Sequence, residues 1–255
     1  MVTSVHVRYH TPLLPPPYAY RYVLTLQPQK QAIHVRLDWT YTDRDELTED
    51  EIVEEGFTAD DDFFWEGALP LVWKKTLDDL HRVTRWVSPS DDDSLHVSVT
   101  TSNQQVAGGA PSDRPEWEYF LQETIQAVYE AAHKERPLRL AYLSVEDNSS
   151  TQLHWEASFL QRHLTLTQVT GRQRQERQLP WSELRSLLQT WYVPDYYSDK
   201  SVQDIPQQPG EYVDPGDGRW YQLGRAVINP GKPDAIGKLR TVIGRFLAPS
   251  LSGKR

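Results

Sequence analysis

Strict alternation of apolar and polar residues is the feature that most constrains how this chain can fold. Residues 18–26 place Tyr or Leu at every second position, and residues 33–41 repeat the pattern with Ile, Val, Leu, Trp and Tyr. Because successive side chains point to opposite faces of a strand, each segment predicts a strand with one buried face. The polar connection 28–31 has the length of a hairpin loop. The sequence therefore predicts an antiparallel hairpin with Trp39 on its apolar side.

A helical period replaces this alternation elsewhere in the chain. Residues 70–87 and 114–134 give the clearest signals, since each begins near a proline suited to a first turn and then carries apolar residues at intervals of three and four. Residues 180–191 repeat that arrangement. Thr48 and Glu51 have the spacing of a capping box, which predicts a further short helix.

Four other segments alternate as strands do. They are residues 95–99, 138–145, 153–159 and 164–166, and the second of them is apolar on both faces, which favours a central position in a sheet. These patterns predict an α+β fold: mainly antiparallel β-sheet with three to four helices packed on one face. The elements are arranged either as one compact domain or as two similar halves.

The boundary between the two halves is expected in the loop that follows the first helix-containing region. Residues 102–114 are rich in Gly, Pro and Ser, as a linker is. The prediction is one half at residues 1–107, with the strand hairpin, an acidic segment and a helix. The other half, residues 112–255, would contain a helix, three strands, another helix and a turn-rich C-terminal region.

Two short coincidences suggest that the halves arose by duplication of a strand–strand–helix unit. Leu69 and Pro70 open one predicted helix, residues 179–180 are again Leu-Pro before another, and the two helices are expected to end at Trp86 and Trp191. The passage 193–218 is rich in turn residues and long for a structureless loop. It predicts either a binding loop or a peripheral wrap.

Composition excludes several classes of function. The chain of 255 residues has no Cys, so a disulfide framework, a thiolate zinc site, an iron–sulfur cluster and a cysteine nucleophile are excluded. No stretch approaches the roughly 20 apolar residues that cross a bilayer, and the N-terminal residues lack the apolar core of a signal peptide. The expectation is a soluble, cytoplasmic protein without a transmembrane segment.

Catalytic and cofactor motifs are missing or incomplete. The chain has no G-x-S-x-G, no G-x-G-x-x-G, no H-E-x-x-H and no P-loop. His154 and Glu156 form an H-x-E pair, but the zinc deaminases that use this pair also need cysteines, so the interpretation is a polar strand face. Asp91, Asp92 and Asp93 are interpreted as a solvated loop. No metal, no cofactor and no catalytic residue is predicted.

The most distinctive surface feature is an acidic segment between residues 43 and 62. It contains 11 acids against Arg44 alone, and Gly56 is expected to end its short helix. The acids lack the alternating ligands, central Gly and terminal Glu of an EF-hand, so a solvated acidic surface is favoured over a cation site. The residues predicted to face a partner are Asp45, Glu46, Asp50, Glu54, Asp60, Asp61 and Asp62.

Charge is unevenly distributed along the chain. Residues 1–128 carry 22 acids and 10 bases, whereas residues 129–255 carry 14 acids and 17 bases. The last stretch, 219–255, has eight bases and one acid and also fits an amphipathic helix. Three roles stay open for it: docking on the protein's own core, contact with a partner or membrane surface, and contact with nucleic acid. Nucleic acid is disfavoured by the net charge of −9.

Two functions from different classes follow from these observations. The favoured one is a non-enzymatic, acidic protein-binding module of the inhibitor or adaptor type, with a basic protein partner. The alternative is a hydrolase or transferase that uses dispersed Asp, Glu and His side chains in a cleft between the two halves. Converging Asp, Glu or His in a pocket would favour the enzyme, and an acidic face with exposed aromatic residues would favour the binding module.

Overall fold

A computed structural model describes residues 1–88, 94–103 and 106–247. Its contacts divide the chain into two compact units. The first comprises residues 1–135 with 159–161, and the second comprises 136–158 with the residues from 162 onward. The division therefore follows the helix at 114–131, whereas the sequence places the boundary before it, at 107–112. Asp91, Asp92 and Asp93 lie outside the described residues.

The first unit is built on a seven-stranded sheet with the order β4-β3-β2-β1-β6-β7-β5. Its elements, in chain order, are β1 Val2–His10, β2 Tyr20–Pro28, β3 Ala32–Tyr41, α1 Glu49–Glu54, β4 Phe63–Pro70, α2 Val72–Val83, β5 Trp86–Val87, β6 Leu95–Thr101, β7 Val106–Pro111 and α3 Arg114–Ala131. Strands β1 to β4 form an antiparallel meander, and β6 returns to pair with β1 on the side away from β2.

The alternating segments form the predicted hairpin. Strands β2 and β3 pair with each other, so that Tyr22 lies opposite Trp39. In the tight connection between them, the backbone N–H of Gln29 donates to the carbonyl of Ala32 at 2.8 Å. The buried faces of these strands supply Leu24, Leu26, Ile33, Val35 and Leu37. Trp39 lies on the same face but is partly exposed, because it stands near the end of the sheet.

Helices α2 and α3 cover this apolar face. Trp73 and Leu77 are the buried residues of α2, and Trp117 is fully buried in α3, where its indole N–H donates to the Thr84 hydroxyl at 2.9 Å. Trp86, expected to end α2, lies instead in β5, three residues beyond the helix, and packs against Trp117 with ring centroids 5.6 Å apart. The aromatic residues thus supply much of the volume of this core.

The second unit is built on a six-stranded sheet with the order β11-β10-β9-β8-β13-β14. Its elements, in chain order, are β8 Leu138–Glu146, β9 Ser149–Ser158, β10 His163–Thr170, β11 Gln173–Leu179, α4 Ser182–Trp191, β12 Asp195–Tyr196, β13 Gly210–Asp214, β14 Tyr221–Gln222, β15 Val227–Ile228 and α5 Ala235–Leu247. The turn-rich passage 193–218 therefore includes β13, which pairs with β8 in the middle of the sheet.

The core of the second unit is centred on Trp155 of β9. Its ring meets Trp191 of α4 at 5.3 Å and Phe246 of α5 at 5.5 Å, both edge to face. Leu239 and Ile243 of α5 are also buried. Of the three roles open for the C-terminal segment, the described part of it, up to residue 247, therefore docks on the protein's own core.

The two units share one connectivity. In each, a four-stranded meander leads into a helix, a later strand pairs with the first strand of the meander, another strand pairs with that one, and a helix follows. Strand β5, at the edge of the first sheet, and the separate pair β12 and β15 have no counterpart among the described residues of the other unit. The prediction of an α+β fold with mainly antiparallel sheet is confirmed. The described residues contain five α-helices rather than three to four, because both the short acidic helix and the C-terminal helix form.

Candidate functional site

The acidic segment of the first unit folds around its one basic residue. One guanidinium nitrogen of Arg44 donates to Asp61 Oδ2 at 2.9 Å and to the carbonyl of Thr58 at 2.6 Å, and its Nε donates to the carbonyl of Pro17 at 3.3 Å. The same guanidinium lies over the ring of Tyr41, 3.8 Å from the centroid. Only 11% of the Arg44 side chain is exposed, so its charge is directed inward.

The short helix α1 forms as predicted inside this segment. The Thr48 hydroxyl accepts the backbone N–H of Glu51, and the Glu51 carboxylate accepts the backbone N–H of Thr48 at 2.8 Å, which completes the capping box. Gly56 follows the helix with φ of 83°, a conformation that favours glycine. Ile52 is the buried residue of α1, so the acids of the helix remain on the surface.

The seven predicted partner-facing acids fall into two groups. Asp61 is engaged internally: hydrogen bonds from Thr58 and then from Arg44 lower the pKa of its carboxyl, so it remains ionised. Asp62 is exposed, but its Oδ1 accepts the backbone N–H of Tyr41 at 2.9 Å. The other five are exposed and form what we call the acidic face: Asp45, Glu46, Asp50, Glu54 and Asp60.

A proline-rich loop adjoins the acidic segment and carries exposed leucines. Leu13 is fully exposed, at 102%, and Leu14 is 48% exposed. Leu13 also has φ of 52°, in the left-handed region that a leucine rarely adopts. The loop contacts the acidic segment through Pro17, as described above, and through the Tyr18 hydroxyl, which donates to Glu55. We call Leu13 and Leu14 the leucine tip.

A polar groove of about 730 Å³ lies on the second unit. Strand register aligns its central residues in one row across the sheet, because Thr167 pairs with His154, His154 with Ala141, and Ala141 with Asp214. The small side chain of Ala141 leaves a depression between the histidine and the aspartate. We call this the polar groove; the titratable side chains that line it are Arg139, His154, Glu156, His163, Arg174, Glu176 and Asp214.

Most charges of the polar groove are paired. Arg139 Nε donates to Glu156 at 2.9 Å, and Arg174 lies 3.7 Å from Glu176. Burial, and secondarily Arg174, lowers the pKa of His154, which favours its neutral form. Burial raises the pKa of Asp214, against the opposing effect of hydrogen bonds from two backbone N–H groups. The H-x-E pair thus does lie on a polar strand face, and its glutamate is occupied by an arginine.

A second cavity, this one in the first unit, lies between the sheet and α3 and has a volume of about 300 Å³. Register brings its aromatic wall together, since Tyr9 pairs with Tyr22 and Tyr22 pairs with Trp39 across three neighbouring strands. The opposite wall is one face of α3, where residues recur at helical spacing. We call this the aromatic cleft; its lining residues are Tyr9, Tyr20, Tyr22, Trp39, Glu118, Gln122, Ile125 and Gln126.

The aromatic rings of this cleft are stacked on one another. Centroids are 4.1 Å apart for Tyr20 and Trp39, 5.4 Å for Tyr22 and Trp39, and 5.0 Å for Tyr9 and Tyr22, with interplanar angles of 14–21°. Burial is the main cause, and the neighbouring Tyr9 the second, that raises the pKa of Tyr20 to about 12. Burial likewise raises the pKa of the Tyr22 hydroxyl. Tyr20 and Tyr22 therefore stay uncharged at neutral pH.

Sequence reasoning found the acidic face and missed the aromatic cleft. Alternation marked Tyr20, Tyr22 and Trp39 as core, because residues on the apolar side of a strand are usually buried. Their hydroxyl and N–H groups distinguish them from aliphatic core residues, because a buried Tyr or Trp needs a hydrogen-bond partner for that group. Gln122 and Gln126 of α3 belong to the opposite wall, and Gln122 is exposed.

Neither a metal centre nor a membrane span is found in the described part of the chain. No group of three or more His, Asp or Glu side chains there is arranged to hold an ion. Among the same residues no helix combines the length and the apolar character needed to cross a bilayer. Comparison with known proteins found no matching family model, no matching curated protein and no matching solved structure.

Proposed function

We propose that this protein is a non-enzymatic binding module that docks a basic, amphipathic protein segment on its first unit. The observation that carries the proposal is the combination of an exposed acidic face with a leucine tip on an adjoining loop. Interfaces of this kind join apolar anchors, which supply affinity, to a charged rim, which supplies steering and register. An inhibitor or adaptor with a cytoplasmic location is the role that we propose for the whole chain.

The contacts of Arg44 support this function. A surface arginine among 11 acids would neutralise part of their field, but this one is directed inward onto Asp61, the carbonyl of Thr58 and the ring of Tyr41. The five residues of the acidic face consequently repel one another with no exposed base in the segment. A partner carrying Lys or Arg relieves that repulsion, so charge complementarity identifies the partner as basic.

The leucine tip argues for an apolar element in the same partner. A leucine held at positive φ costs about 1–3 kcal/mol relative to ordinary backbone conformations, and an exposed one gains nothing from burial. A complementary apolar side chain on a partner would bury Leu13 and Leu14 together. The partner is therefore expected to be amphipathic, with basic and apolar residues on one face.

Association kinetics with a synthetic probe test the proposal. The probe is a helical peptide of lysine and leucine with an amphipathic pattern, and the same peptide with glutamate for lysine is its counterpart. The variant D45N/E46Q/D50N/E54Q is expected to slow association about tenfold and to flatten its salt dependence, because steering is lost. Leu13→Ser with Leu14→Ser should mainly speed dissociation, since the apolar anchor is removed.

A matched control removes the same number of charges from the second unit. Asp147, Asp195, Asp199 and Asp204 are all exposed there, and their joint change to Asn should alter the association rate by less than about twofold. The proposal fails if the two quadruple variants behave alike, if the glutamate peptide binds as well as the lysine peptide, or if neither peptide binds the unmodified protein.

The competing function is a hydrolase or transferase, and the polar groove is the observation that favours it. The lowered pKa of His154 favours the neutral imidazole, which is the form that a general base needs. Asp214 lies on the other side of Ala141 in the same row, and its pKa is raised. This function predicts turnover of activated ester or phosphoester substrates that is abolished in His154→Gln. Turnover that survives this change, or no turnover of either substrate class, would remove the catalytic alternative.

A further inference from the structure

Strand β4 forms an open edge of the sheet in the first unit. It stands at the end of the strand order, contains eight residues and pairs with β3. The edge strands β5 and β14 have two residues each, and β11 carries three charged side chains in seven residues. Strand β4 carries one, that of Glu66. A long edge strand with little charge is a template to which a further strand can add.

The register of the sheet shows which backbone groups of β4 point outward. Alternate residues of an antiparallel strand direct their N–H and C=O groups to opposite neighbours. Because Gln29 donates to the carbonyl of Ala32, the even-numbered residues of β3 face β2 and the odd-numbered ones face β4. The latter pair with the odd-numbered residues of β4. Phe64, Glu66 and Ala68 therefore direct their N–H and C=O groups away from the sheet, where these groups make no hydrogen bond to any residue that the structure describes.

The two faces of β4 differ in chemistry. On the solvent face, Phe64 is 55% exposed with the guanidinium of Arg36 over its ring, and Glu66 is exposed beside it. On the core face, the indole of Trp65 lies so close over Gly67 that a Cβ atom there would be 2.5 Å from the ring, and Trp65 is still partly exposed. In an added strand, the side chains toward the core face would contact this apolar ring, and those toward solvent would lie beside Glu66.

The charges at the start of β4 favour a basic strand. The strand follows the acidic segment directly, and Asp60 and Asp62 near the end of that segment are exposed. Glu66 is itself 44% exposed, with His34 as its neighbour at 3.5 Å. Lysine or arginine side chains on the solvent face of an added strand would therefore approach carboxylates along β4 and beyond its first residue.

We propose that the basic amphipathic partner of the first unit binds in an extended conformation, as a strand added to the edge of β4. The N–H and C=O groups of Phe64, Glu66 and Ala68 pair with its backbone, which supplies affinity, and alternating side chains supply specificity. The partner thus carries basic residues at every second position with apolar residues between them. The inference rests on the proposed function for the basic character of the partner, and adds its conformation and its place.

Two peptides with the same composition of lysine and leucine test the proposal. One alternates the two residues, as a strand requires, and the other spaces leucine at helical intervals. Binding to the full chain is measured by titration, and amide hydrogen exchange is followed by NMR. The alternating peptide is expected to bind at least about fivefold more tightly than the helical one. At about ten times its Kd it should slow exchange of the Phe64, Glu66 and Ala68 amides about tenfold, while those of Trp65 and Gly67, already directed to β3, change little.

A proline substitution tests the backbone pairing itself. Ala68→Pro removes one outward N–H and no hydrogen bond of the sheet, which an edge strand tolerates. It is expected to weaken the alternating peptide about tenfold or more, whereas Ala68→Ser, which retains the N–H, leaves the affinity within about twofold. If the proline variant does not fold, the exchange pattern of the unmodified protein decides.

Four results would overturn the proposal. They are equal or tighter binding of the helical peptide, protection that does not appear at the three outward amides, normal binding by a folded Ala68→Pro variant, and protection that rises with protein concentration when no peptide is present. The last result would assign the edge to a second copy of the chain.

The added strand and the proposed function can fail separately. The variant D45N/E46Q/D50N/E54Q should slow association of the alternating peptide about tenfold, because steering is lost, but leave the exchange pattern at saturation unchanged. Binding of the helical peptide alone, weakened in this variant, would support the proposed function and overturn the added strand. Binding of the alternating peptide at an unchanged rate would support the added strand and overturn docking on the acidic face.

Discussion

The two units share a connectivity but carry their long loops at different places. In an antiparallel meander the first and third connections lie at the same end of the sheet. In the first unit these are residues 11–19 and 42–62, which hold the leucine tip and the acidic face. In the second unit they are the two-residue turns 147–148 and 171–172. At this end of the sheet, the first unit therefore carries two long loops and the second unit carries two short turns.

The position of the long loops indicates where a binding surface can form. Loops tolerate insertion because few packing contacts depend on them, and a rigid sheet positions whatever they carry. In the first unit, hydrogen bonds from Arg44 to Pro17 and from Tyr18 to Glu55 join the two long loops, so these loops form one surface. In the second unit, the open feature is the polar groove on the sheet itself.

The largest expected effect contrasts the two cores. Trp155 is 1% exposed and contacts two further aromatic rings, so Trp155→Ala should lower the free energy of unfolding of its unit by about 3–5 kcal/mol. Trp39→Ala in the first unit should cost less, because Trp39 is partly exposed in a cleft. Hydrogen exchange of the amides in each unit measures both. Equal losses would mean that the cleft is as closed as the core.

The next effect compares two arginine–carboxylate pairs at the same distance of 2.9 Å, one in each unit. Arg44 and Asp61 are 11% and 27% exposed, whereas Arg139 and Glu156 are 73% and 53% exposed. Arg44→Gln should destabilise residues 43–62 by about 1–3 kcal/mol, since it removes the guanidinium hydrogen bonds to Asp61 and to the carbonyls of Thr58 and Pro17. Arg139→Gln should cost under about 1 kcal/mol, because water screens the pair. Similar protection of residues 43–62 from hydrogen exchange in both variants would contradict this stabilising role of Arg44.

The smallest effect is a pH dependence of the second unit that arises at His154. Burial lowers the pKa of His154 below its ordinary 6.5, so the unfolded chain binds the proton more readily than the folded protein does. The stabilising contribution of the neutral imidazole is present above that value and declines as pH falls through it toward the folded pKa. In His154→Gln the unfolding free energy should fall less steeply as pH is lowered. At about pH 8–9, well above the ordinary pKa of histidine, this substitution should leave no pH-dependent difference from the unmodified protein. An NMR titration giving His154 a pKa above 6.5 would contradict the expectation.

Local patterns predicted much of the fold. The hairpin of β2 and β3, the capping box of α1, and helices α2, α3 and α4 all follow from spacing within a dozen residues. Strand β11 could not be predicted in this way, because Gln173 to Gln178 are all polar and show no buried face. Strand β13 is short and depends on pairing with β8, some seventy residues earlier, which no local pattern encodes.

The candidate sites divide in the same way. The acidic face lies within one short stretch of sequence, so composition alone identified its five members as exposed. The engagement of Asp61 by Arg44 could not be predicted, because it depends on how the segment folds back. The aromatic cleft combines Tyr9, Trp39 and Gln122, which only the strand register and the placement of α3 bring together.

The polar strand β11 has a consequence for the behaviour of the chain at high concentration. It forms the edge of its sheet, with backbone groups available for pairing to another strand. Arg174, Glu176 and Arg177 stand along it, and its first four residues are exposed. Ions on an edge strand must lose water before a second strand can add, so β11 is a poor template for ordered aggregation. The polar residues that hide this strand from periodicity thus also disfavour the addition of a second strand at this edge.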